Sequence, residues 1–352
     1  MPKTYRNLWS QLISFENLCT AWRNARRGKR GKPAVAEFEI AAEDHIFALQ
    51  AQLDEGRYQP GRYHSFPLVE NGKRRMVSAA PFPDRVIHHA LCQLIVPIWE
   101  ARFHAHSYAC RPGKGTHKAV LRCQELSRRH RYVLQCDVKQ FFPSIDHAIL
   151  RGVLARHIAD KRVLALIDAI LAGGEDVLRH EYTLVYFPGD DLFAANRPRG
   201  LPIGNLTSQF WANCLLHPLD LFISQELRCV GFVRYCDDFL LFADDKPTLH
   251  RWREQVLAFA ADLRLTLHEQ RAQVYPAHTG IPWLGWVVYP DHKLLKRRCG
   301  IAFARRLRIA AEQAGRGERS YASLTTTIRS WVSHAAFGDT YRLRSKLLGA
   351  PV

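Results

Sequence analysis

The chain has 352 residues, 47% of them hydrophobic, enough to bury a core shared by roughly two or three subdomains. Its 50 Lys and Arg outnumber 33 Asp and Glu, and the net charge of +17 favours a polyanionic partner. No apolar run reaches about 18 residues, which argues against a membrane-spanning helix. The nine cysteines form no Cys-x-x-Cys pair, which argues against structural zinc and predicts reduced thiols in a soluble, cytoplasmic protein.

The basic residues concentrate at the two ends of the chain. Residues 1–35 hold eight Lys or Arg and one acidic residue, and residues 296–352 hold twelve against three. We therefore expect a nearly neutral folded middle with basic gripping surfaces at both ends. For either end alone, a solvated charged face would be the simpler interpretation.

The first third of the chain predicts helices, a hairpin and a basic loop. Residues 4–55 repeat apolar side chains at helical spacing around a basic segment at 23–32, which either contacts a polyanion or is a flexible loop. Residues 62–80 alternate around Asn71-Gly72, typical of a hairpin. Pro83 and Asp84 mark the start of a helix. The Gly-Lys-Gly loop at 113–115 favours a phosphate contact, although this signal alone is weak.

Acidic residues end two apolar, β-prone stretches. Asp137 closes the run at 132–137, and Asp237 and Asp238 occupy a tight turn within residues 232–245. An isolated Asp-Asp pair is more often a solvated turn. Neighbouring carboxylates beside buried strands repel each other unless a cation neutralises them, so three acids on adjacent strands predict a metal site. Such acids can share two ions about 3.5–4 Å apart, and their oxygen ligands suit Mg²⁺, with Mn²⁺ as a substitute.

The rest of the chain alternates helices and short strands. Residues 147–172 have helical periodicity and end at Gly173-Gly174. Residues 181–198 predict a strand and a polar loop whose Asp190-Asp191 pair is a solvated turn. A helix at 249–263 precedes a strand from Leu265. The basic stretch at 296–350 is helical, with breaks around 315–323.

Several of these motifs resemble those of reverse transcriptases. Tyr-Cys-Asp-Asp at 235–238 resembles their Tyr-x-Asp-Asp box, and residues 137–142 resemble their first catalytic strand. Arg-Gly-Leu-Pro-Ile-Gly-Asn-Leu-Thr-Ser-Gln at 199–209 resembles their template- and nucleotide-binding motif, in the form most similar to diversity-generating retroelements. Residues 107–117 and 141–147 add further matches. The resemblance spans residues 60–350, and it lies within the prokaryotic and phage group II intron-like superfamily.

The resemblance implies an α+β, right-hand polymerase fold. In it, residues 1–60 form a basic helical extension, 61–131 the fingers, and 132–295 a palm of antiparallel sheet and helices with an insertion at 147–198. Residues 296–352 form a small helical thumb. The implied reaction is templated synthesis of DNA on RNA.

The resemblance also implies roles for individual residues. Asp137, Asp237 and Asp238 are the catalytic acids, and with the Val138 carbonyl they bind two Mg²⁺ ions. The implied nucleotide-binding residues are Arg74, Arg75, Phe142, Ile203 and Gln209. The implied template or primer contacts are Arg85, Arg111, Lys114, Gly204, Asn205, Ser208, Tyr235, Cys236, Trp283 and Gly285.

Some of these roles have structural alternatives. Arg74 or Arg75 clamps the triphosphate, unless both are simply exposed strand-edge charges. Phe142 occupies the space of a ribose 2′-hydroxyl, whereas without the resemblance a Phe-Phe pair is more often core. Ile203 stands where retroviral enzymes carry Gln, so discrimination between bases is expected to fall. Arg271 stands where many members carry a Lys that donates a proton; Arg does not give up its proton, so the donor stays open.

The subfamily implies specific partners. These are an RNA template, a DNA or RNA primer, dNTPs and a small, basic, oligomeric accessory variability protein, in a prokaryotic cell or a phage-encoded system. The expected product is cDNA with errors directed to adenines of a template-repeat RNA. The alternatives are a retron, group II intron-like or phage-defence reverse transcriptase, with the intron form disfavoured by the lack of maturase and endonuclease motifs. A remoter alternative is a non-catalytic RNA-binding protein.

Overall fold

The computed structural model describes residues 3–70, 73–175 and 177–349. Helices and antiparallel strands alternate along this part of the chain, in the mixed class that the sequence predicts. The helices are α1 (Trp9–Leu12), α2 (Phe15–Arg26), α3 (Pro33–Ile40), α4 (Ala42–Asp54), α5 (Phe82–Glu100), α6 (Thr116–Arg129), α7 (Phe141–Ser144), α8 (His147–Ala155), α9 (Lys161–Gly173), α10 (Leu206–Leu221), α11 (Lys246–Asp262), α12 (Arg297–Gly315), α13 (Tyr321–Ala335) and α14 (Tyr341–Leu348). The strands are β1 (His64–Glu70), β2 (Lys73–Ala79), β3 (Tyr132–Asp137), β4 (Gly231–Tyr235), β5 (Asp238–Ala243), β6 (Gln273–Pro276), β7 (Ile281–Trp283), β8 (Trp286–Val288) and β9 (Lys293–Leu295).

The N-terminal helices pack against α5. Ser14 caps α2 by accepting a hydrogen bond from the Asn17 backbone N–H, which satisfies one of the unpaired donors of the first turn. The buried face of α2 carries Leu18, Ala21 and Ala25, and the small side chains of the two alanines allow a close approach to α5. The two helical stretches predicted at 4–55 are thus formed as four helices.

The predicted hairpin is formed by β1 and β2, which pair antiparallel with Leu68 opposite Arg75. Its predicted turn at Asn71-Gly72 lies outside the described residues. At its base, the Ser78 N–H donates to the carbonyl of Ile203 at 2.8 Å. This bond ties the hairpin to the loop that precedes α10.

A four-stranded antiparallel sheet in the order β4-β5-β3-β6 forms the centre of the molecule. Side chains on one face, including Leu134, Phe239 and Leu241, join the large core that also contains α5, α8 and α10. Side chains on the other face, including Leu240 and Phe242, join a second core. Because strand side chains alternate, residues 135, 137 and 238 share the face of this second core.

The second core is completed by the small sheet β7-β8-β9 and by helices of the C-terminal region. Trp283 and Trp286 are completely buried there. The rings of Phe303 on α12 and Trp331 on α13 stack with their centroids 4.0 Å apart. Aromatic packing therefore holds the basic C-terminal helices against the central sheet.

Three predicted elements differ in the structure. The helical stretch at 147–172 divides into α8 and α9, because the Asp160 carboxylate caps a new helix by accepting from the N–H groups of Arg162 and Val163. Residues 181–198 form single 3-10 turns where we expected a strand. From Leu265, the chain makes a single bridge with Val138 and becomes a strand only at β6.

The interpretation of Asp190 as part of a solvated turn is wrong. Its side chain is only 3% exposed. One carboxylate oxygen lies 2.6 Å from Arg197 and 2.9 Å from Arg264. Two arginines from separate segments neutralise this acid, and no local sequence pattern indicates that they lie close to it.

Candidate active site

Three carboxylates converge at one end of the central sheet. Asp137 is the last residue of β3 and lies directly opposite Asp238, the first residue of β5. Asp237 stands in the two-residue turn between β4 and β5, where Tyr235 pairs with Asp238. The Val138 N–H donates to the Asp237 carbonyl at 3.3 Å, so the backbone also joins the two strand ends. The apolar runs on both sides bury these strands and bring acids 100 residues apart in the chain together.

Burial makes the negative charges of this site costly. Burial and the neighbouring Asp137 raise the pKa of Asp237 to about 6. The same two causes raise the pKa of Asp238 to about 7. The Oδ1 atom of Asp238 is buried without a hydrogen-bond partner. A buried carboxylate oxygen with no donor beside two other acids suits a hard cation as its missing partner.

Arg271 forms an ion pair with one of the three acids. Its Nη1 donates to Asp137 Oδ2 at 2.7 Å, and the arginine side chain is 57% exposed. Within the described ranges, no group of three or more His, Cys, Asp or Glu side chains is spaced to hold a metal ion. The donor types fit a divalent cation, and Asp137 would exchange its bond to Arg271 for that ion. The role of Arg271 as a fixed charge during the reaction stays a prediction.

A buried ion pair behind the turn escaped sequence reasoning. Arg234 on β4 donates to both carboxylate oxygens of Asp220 on α10, each at 2.6 Å, and both side chains are completely buried. Arg234 Nη1 also donates to the carbonyl of Cys236, in the catalytic turn, at 2.9 Å. The sequence feature that could have indicated this pair is the cationic Arg234 inside the otherwise apolar strand Gly231–Tyr235.

The fingers hairpin expected from the sequence lies within electrostatic reach of the acids. Arg75 on β2 is exposed, and its charge lowers the pKa of Asp237 against the larger effect of burial. The Arg74 side chain lies outside the described part of the structure. Of the two side chains, the structure describes only Arg75, and Arg75 lies within electrostatic reach of Asp237.

The comparison with protein families decides the identity of this arrangement. The family model described as reverse transcriptase (RNA-dependent DNA polymerase) matches residues 64–288. This range contains the hairpin, all three acids and the loop at 199–209. The chain belongs to the reverse transcriptase family. Its helices and antiparallel sheets accordingly form the right-hand polymerase fold that the sequence predicts.

Similar proteins include several encoded by introns. Protein YkfC of Escherichia coli K12 is 25% identical over 307 residues, which cover 75% of this chain and 74% of YkfC. The group II intron-encoded protein LtrA of Lactococcus lactis is 26% identical over 52% of this chain and 29% of its own length. Nuclear intron maturase 1 of Arabidopsis thaliana is 29% identical over 29% of this chain and 15% of its own length. The chain thus spans most of YkfC but under a third of the intron proteins.

The predicted nucleotide-side residues of this reverse transcriptase lie on connected segments. The Leu201 N–H donates to the carbonyl of Phe142 at 2.9 Å, and Ile203 accepts from the hairpin as described above. Phe142 and Ile203 are both half-buried, whereas Gln209 is exposed in the first turn of α10. These backbone hydrogen bonds link the segment of Phe142 to the loop that carries Ile203, and they link that loop to the hairpin.

Four of the predicted template or primer contacts have side chains with little solvent-facing surface. The Asn205 amide donates to the carbonyls of Ser78 and Pro202 at 2.9 and 3.0 Å and is buried. Ser208 is 2% exposed. Arg111 is paired with Glu100 at 2.9 Å, and its side chain is 6% exposed. Trp283 is fully buried. These side chains lie in the interior of the free protein, and their contacts with nucleic acid stay predictions.

The remaining candidates keep an accessible surface. Lys114 is half-buried and donates to the Ala105 carbonyl at 2.7 Å, and half-buried Arg85 donates to the Ala80 carbonyl at 2.7 Å. The Tyr235 hydroxyl accepts from Thr116 Oγ1 at 3.1 Å. Cys236 is half-buried, and Gly204 and Gly285 have left-handed backbones with φ of 112° and 89°. Their contacts with nucleic acid stay predictions.

The described helices were also compared with the requirements of a lipid bilayer. None of them combines the length and the apolar character that crossing a membrane would need.

Proposed function

We propose that this protein is an RNA-directed DNA polymerase that extends a primer with dNTPs. The observation that carries the proposal is the pairing of Asp137 with Asp238 across β3 and β5, with Asp237 in the adjoining turn and an unpartnered buried oxygen among them. In this proposal, residues 61–131 form the fingers, residues 132–295 the palm and residues 296–352 the thumb, with residues 1–60 as a basic extension. The two basic ends would grip the template and primer.

The chain's own residues supply binding, position and charge. Asp137, Asp237 and Asp238, with the Val138 carbonyl, would hold two Mg²⁺ ions. When bound, such ions activate a primer 3′-hydroxyl and stabilise the leaving pyrophosphate. Arg75 offers fixed positive charge for the triphosphate as negative charge spreads over it during transfer. Phe142 and Ile203 would line the sugar and base, and Phe142 would favour deoxynucleotides.

Nucleotide incorporation on a primed RNA template tests this proposal. The wild type should extend the primer in Mg²⁺, and Asp237→Asn should abolish extension while leaving template binding intact. Asp291→Asn is the matched control, because Asp291 is 82% exposed and pairs only with its neighbour His292 among the described contacts. Tight binding of the primed template with no incorporation by the wild type would support the non-catalytic alternative.

We further propose that the template is a template-repeat RNA of a diversity-generating retroelement, copied with adenine-directed errors together with a small, basic accessory variability protein. The support is the Gly-Asn-Leu-Thr-Ser-Gln form of residues 204–209 and the aliphatic Ile203 beside the hairpin. Sequencing the cDNA should show substitutions concentrated at template adenines. Ile203→Gln should reduce them, and an unchanged error rate would count against the role of Ile203.

A group II intron-like reverse transcriptase is the second candidate. Similarity to LtrA and to an intron maturase favours it. Such an enzyme should copy structured RNA with errors spread over all four bases. The same sequencing experiment therefore separates the two candidates, since only the retroelement type concentrates errors at adenines. For either enzyme we propose a location in the cytoplasm of a prokaryotic cell, where RNA and nucleotides are present.

A further inference from the structure

The ion pair behind the catalytic turn is completely buried. Arg234 and Asp220 both have 0% exposed side chains and form two parallel bonds of 2.6 Å. Moving two charges out of water costs several kcal/mol per ion, and such a pair adds little net stability over an apolar pair of similar volume. Its presence is therefore poorly explained by stability alone.

The rest of the Arg234 guanidinium reaches the turn that carries Asp237. Nη1 donates to the Cys236 carbonyl at 2.9 Å and to Asn213 Oδ1 at 3.1 Å. Cys236 has a φ of 57°, a left-handed backbone that favours glycine. A non-glycine residue persists in this region only where its surroundings fix it. Here the bond from Arg234 to the Cys236 carbonyl is one such constraint.

The backbone of Arg234 and the side chain of Asn213 also hold the loop before α6. The Tyr108 N–H donates to the Arg234 carbonyl at 2.9 Å, and the Asn213 amide donates to the Ala109 carbonyl at 2.9 Å. Asp220 and Asn213 both belong to α10, and both are buried. Helix α10 thus contacts the catalytic turn through the Arg234 guanidinium, and it contacts the loop at 107–110 through the Asn213 amide.

We infer that Arg234, oriented by Asp220 and Asn213, is a positioning residue that holds the Cys236-Asp237 turn in its strained backbone and so places the Asp237 carboxylate. The inference rests on the proposed polymerase function for its catalytic consequence. The role requires a planar guanidinium. One edge of it must bind the Asp220 carboxylate with two hydrogen bonds, while the remaining nitrogen donates to the Cys236 carbonyl.

Two variants separate positioning from stability. The double variant Arg234→Met/Asp220→Leu replaces the pair by apolar side chains, and Arg234→Lys keeps a charge for Asp220 but loses the planar fork. Both should stay folded, with thermal midpoints within about 5 °C of the wild type. The turnover number should fall roughly tenfold to a hundredfold, with an unchanged KM for dNTP. Arg151→Gln/Asp168→Asn, an ion pair between α8 and α9, is the control and should match the wild type.

Hydrogen–deuterium exchange of peptides covering residues 234–239 gives a readout that does not depend on activity. Both variants should exchange this turn several-fold faster than the wild type, and the control should not. If a folded variant keeps wild-type turnover and wild-type exchange, the inference is overturned. If the double variant does not fold, Arg234→Lys decides the question. If the variants exchange faster than the wild type but the wild type incorporates no nucleotide, the proposed polymerase function is overturned. The anchoring of the turn by Arg234 is then still supported.

Discussion

Asp238 combines burial, repulsion by neighbouring acids and an unpartnered oxygen in one side chain. It is buried beside Asp137 and Asp237, and its Oδ1 atom has no hydrogen-bond partner. Burial and Asp137 raise its pKa to about 7, so near neutral pH the folded protein holds a proton that the unfolded chain releases. A divalent cation held by Asp137, Asp237 and Asp238 would replace this proton and reduce the repulsion between the acids.

Asp238→Asn should flatten the pH dependence of stability in the metal-free protein. Because the folded pKa lies above the unfolded value of 3.8, the carboxyl favours folding at low pH, and this contribution is lost as pH rises through about 7. At pH 8 in EDTA, we expect the variant to exceed the wild type by on the order of 2 kcal/mol in free energy of unfolding. Urea unfolding at pH 5 and pH 8 measures the difference. An identical pH slope in both proteins would count against a protonated, repelled Asp238.

Arg271 should compete with metal for Asp137. The ion pair is partly exposed, so we expect it to contribute at most about 1 kcal/mol, and Arg271→Gln should tighten Mn²⁺ binding roughly two- to fivefold. Titration of free Mn²⁺ by electron paramagnetic resonance gives the affinity. Arg151→Gln removes a comparable ion pair from α8 and serves as the control. Weaker Mn²⁺ binding in the Arg271 variant would show that the arginine supports the site.

The sequence predicts the acids of the site but not what holds them. Asp137, Asp237 and Asp238 are visible because each interrupts an apolar, β-prone run. The partner of Arg234 lies 14 residues away on a helix, and that of Arg111 is likewise a matter of tertiary packing. A local sequence pattern indicates that a buried cation needs an acidic partner, but it does not identify which residue is that partner. For the same reason, the sequence does not reveal the internal hydrogen bonds of Arg111 and Asn205.

Elements with strong local patterns are predicted correctly. The hairpin β1–β2 alternates with a period of two, and the strands β4 and β5 beside the acids are continuous apolar runs that are buried on both faces. The segment at 181–198 was mispredicted because its conformation depends on Asp190 bonding to Arg197 and Arg264. The helix at 147–172 was predicted as one element because apolar residues continue through the break that Asp160 caps.

The contact between the hairpin and the loop before α10 can be tested at Gly204. A Cβ there would lie 2.8 Å from Val77 Cγ1, and φ is 112°. Gly204→Ala should therefore strain the backbone and also push β2 away, which should slow nucleotide incorporation. Gly189→Ala is the matched control, since φ is 84° but no atom lies within 4 Å of its Cβ position.

The two alanine variants differ only in what the new methyl group meets. Both should lose on the order of 1 kcal/mol of stability from the left-handed backbone. Gly204→Ala should lose more in urea unfolding and should raise the KM for dNTP, because the hairpin carries Arg75. Equal stability and equal KM in the two variants would contradict a functional contact between Gly204 and β2.

Two hydrophobic cores pack on the two faces of one sheet, and positive charge concentrates at the two ends of the chain. The acids lie at the sheet end on the face of the second core, which the aromatic residues of β7–β9 and α12–α13 complete. Positive charge concentrates in residues 1–35 and 296–352, which leaves residues 36–295 nearly neutral. The order of motifs predicts this fold from sequence. The packing of the N-terminal helices on α5 is not predicted, because amphipathic periodicity does not specify a partner.

Anomalous scattering from crystals of the protein with a primed template, an unreactive dNTP analogue and Mn²⁺ tests the shared metal site directly. We predict two anomalous peaks about 3.5–4 Å apart, bounded by Asp137, Asp237 and Asp238, with Arg271 released from Asp137. Crystals of the Asp237→Asn variant should lose at least one peak. Peaks absent from this end of the sheet, or acids that stay apart with the Asp137–Arg271 pair intact in the loaded complex, would contradict the account.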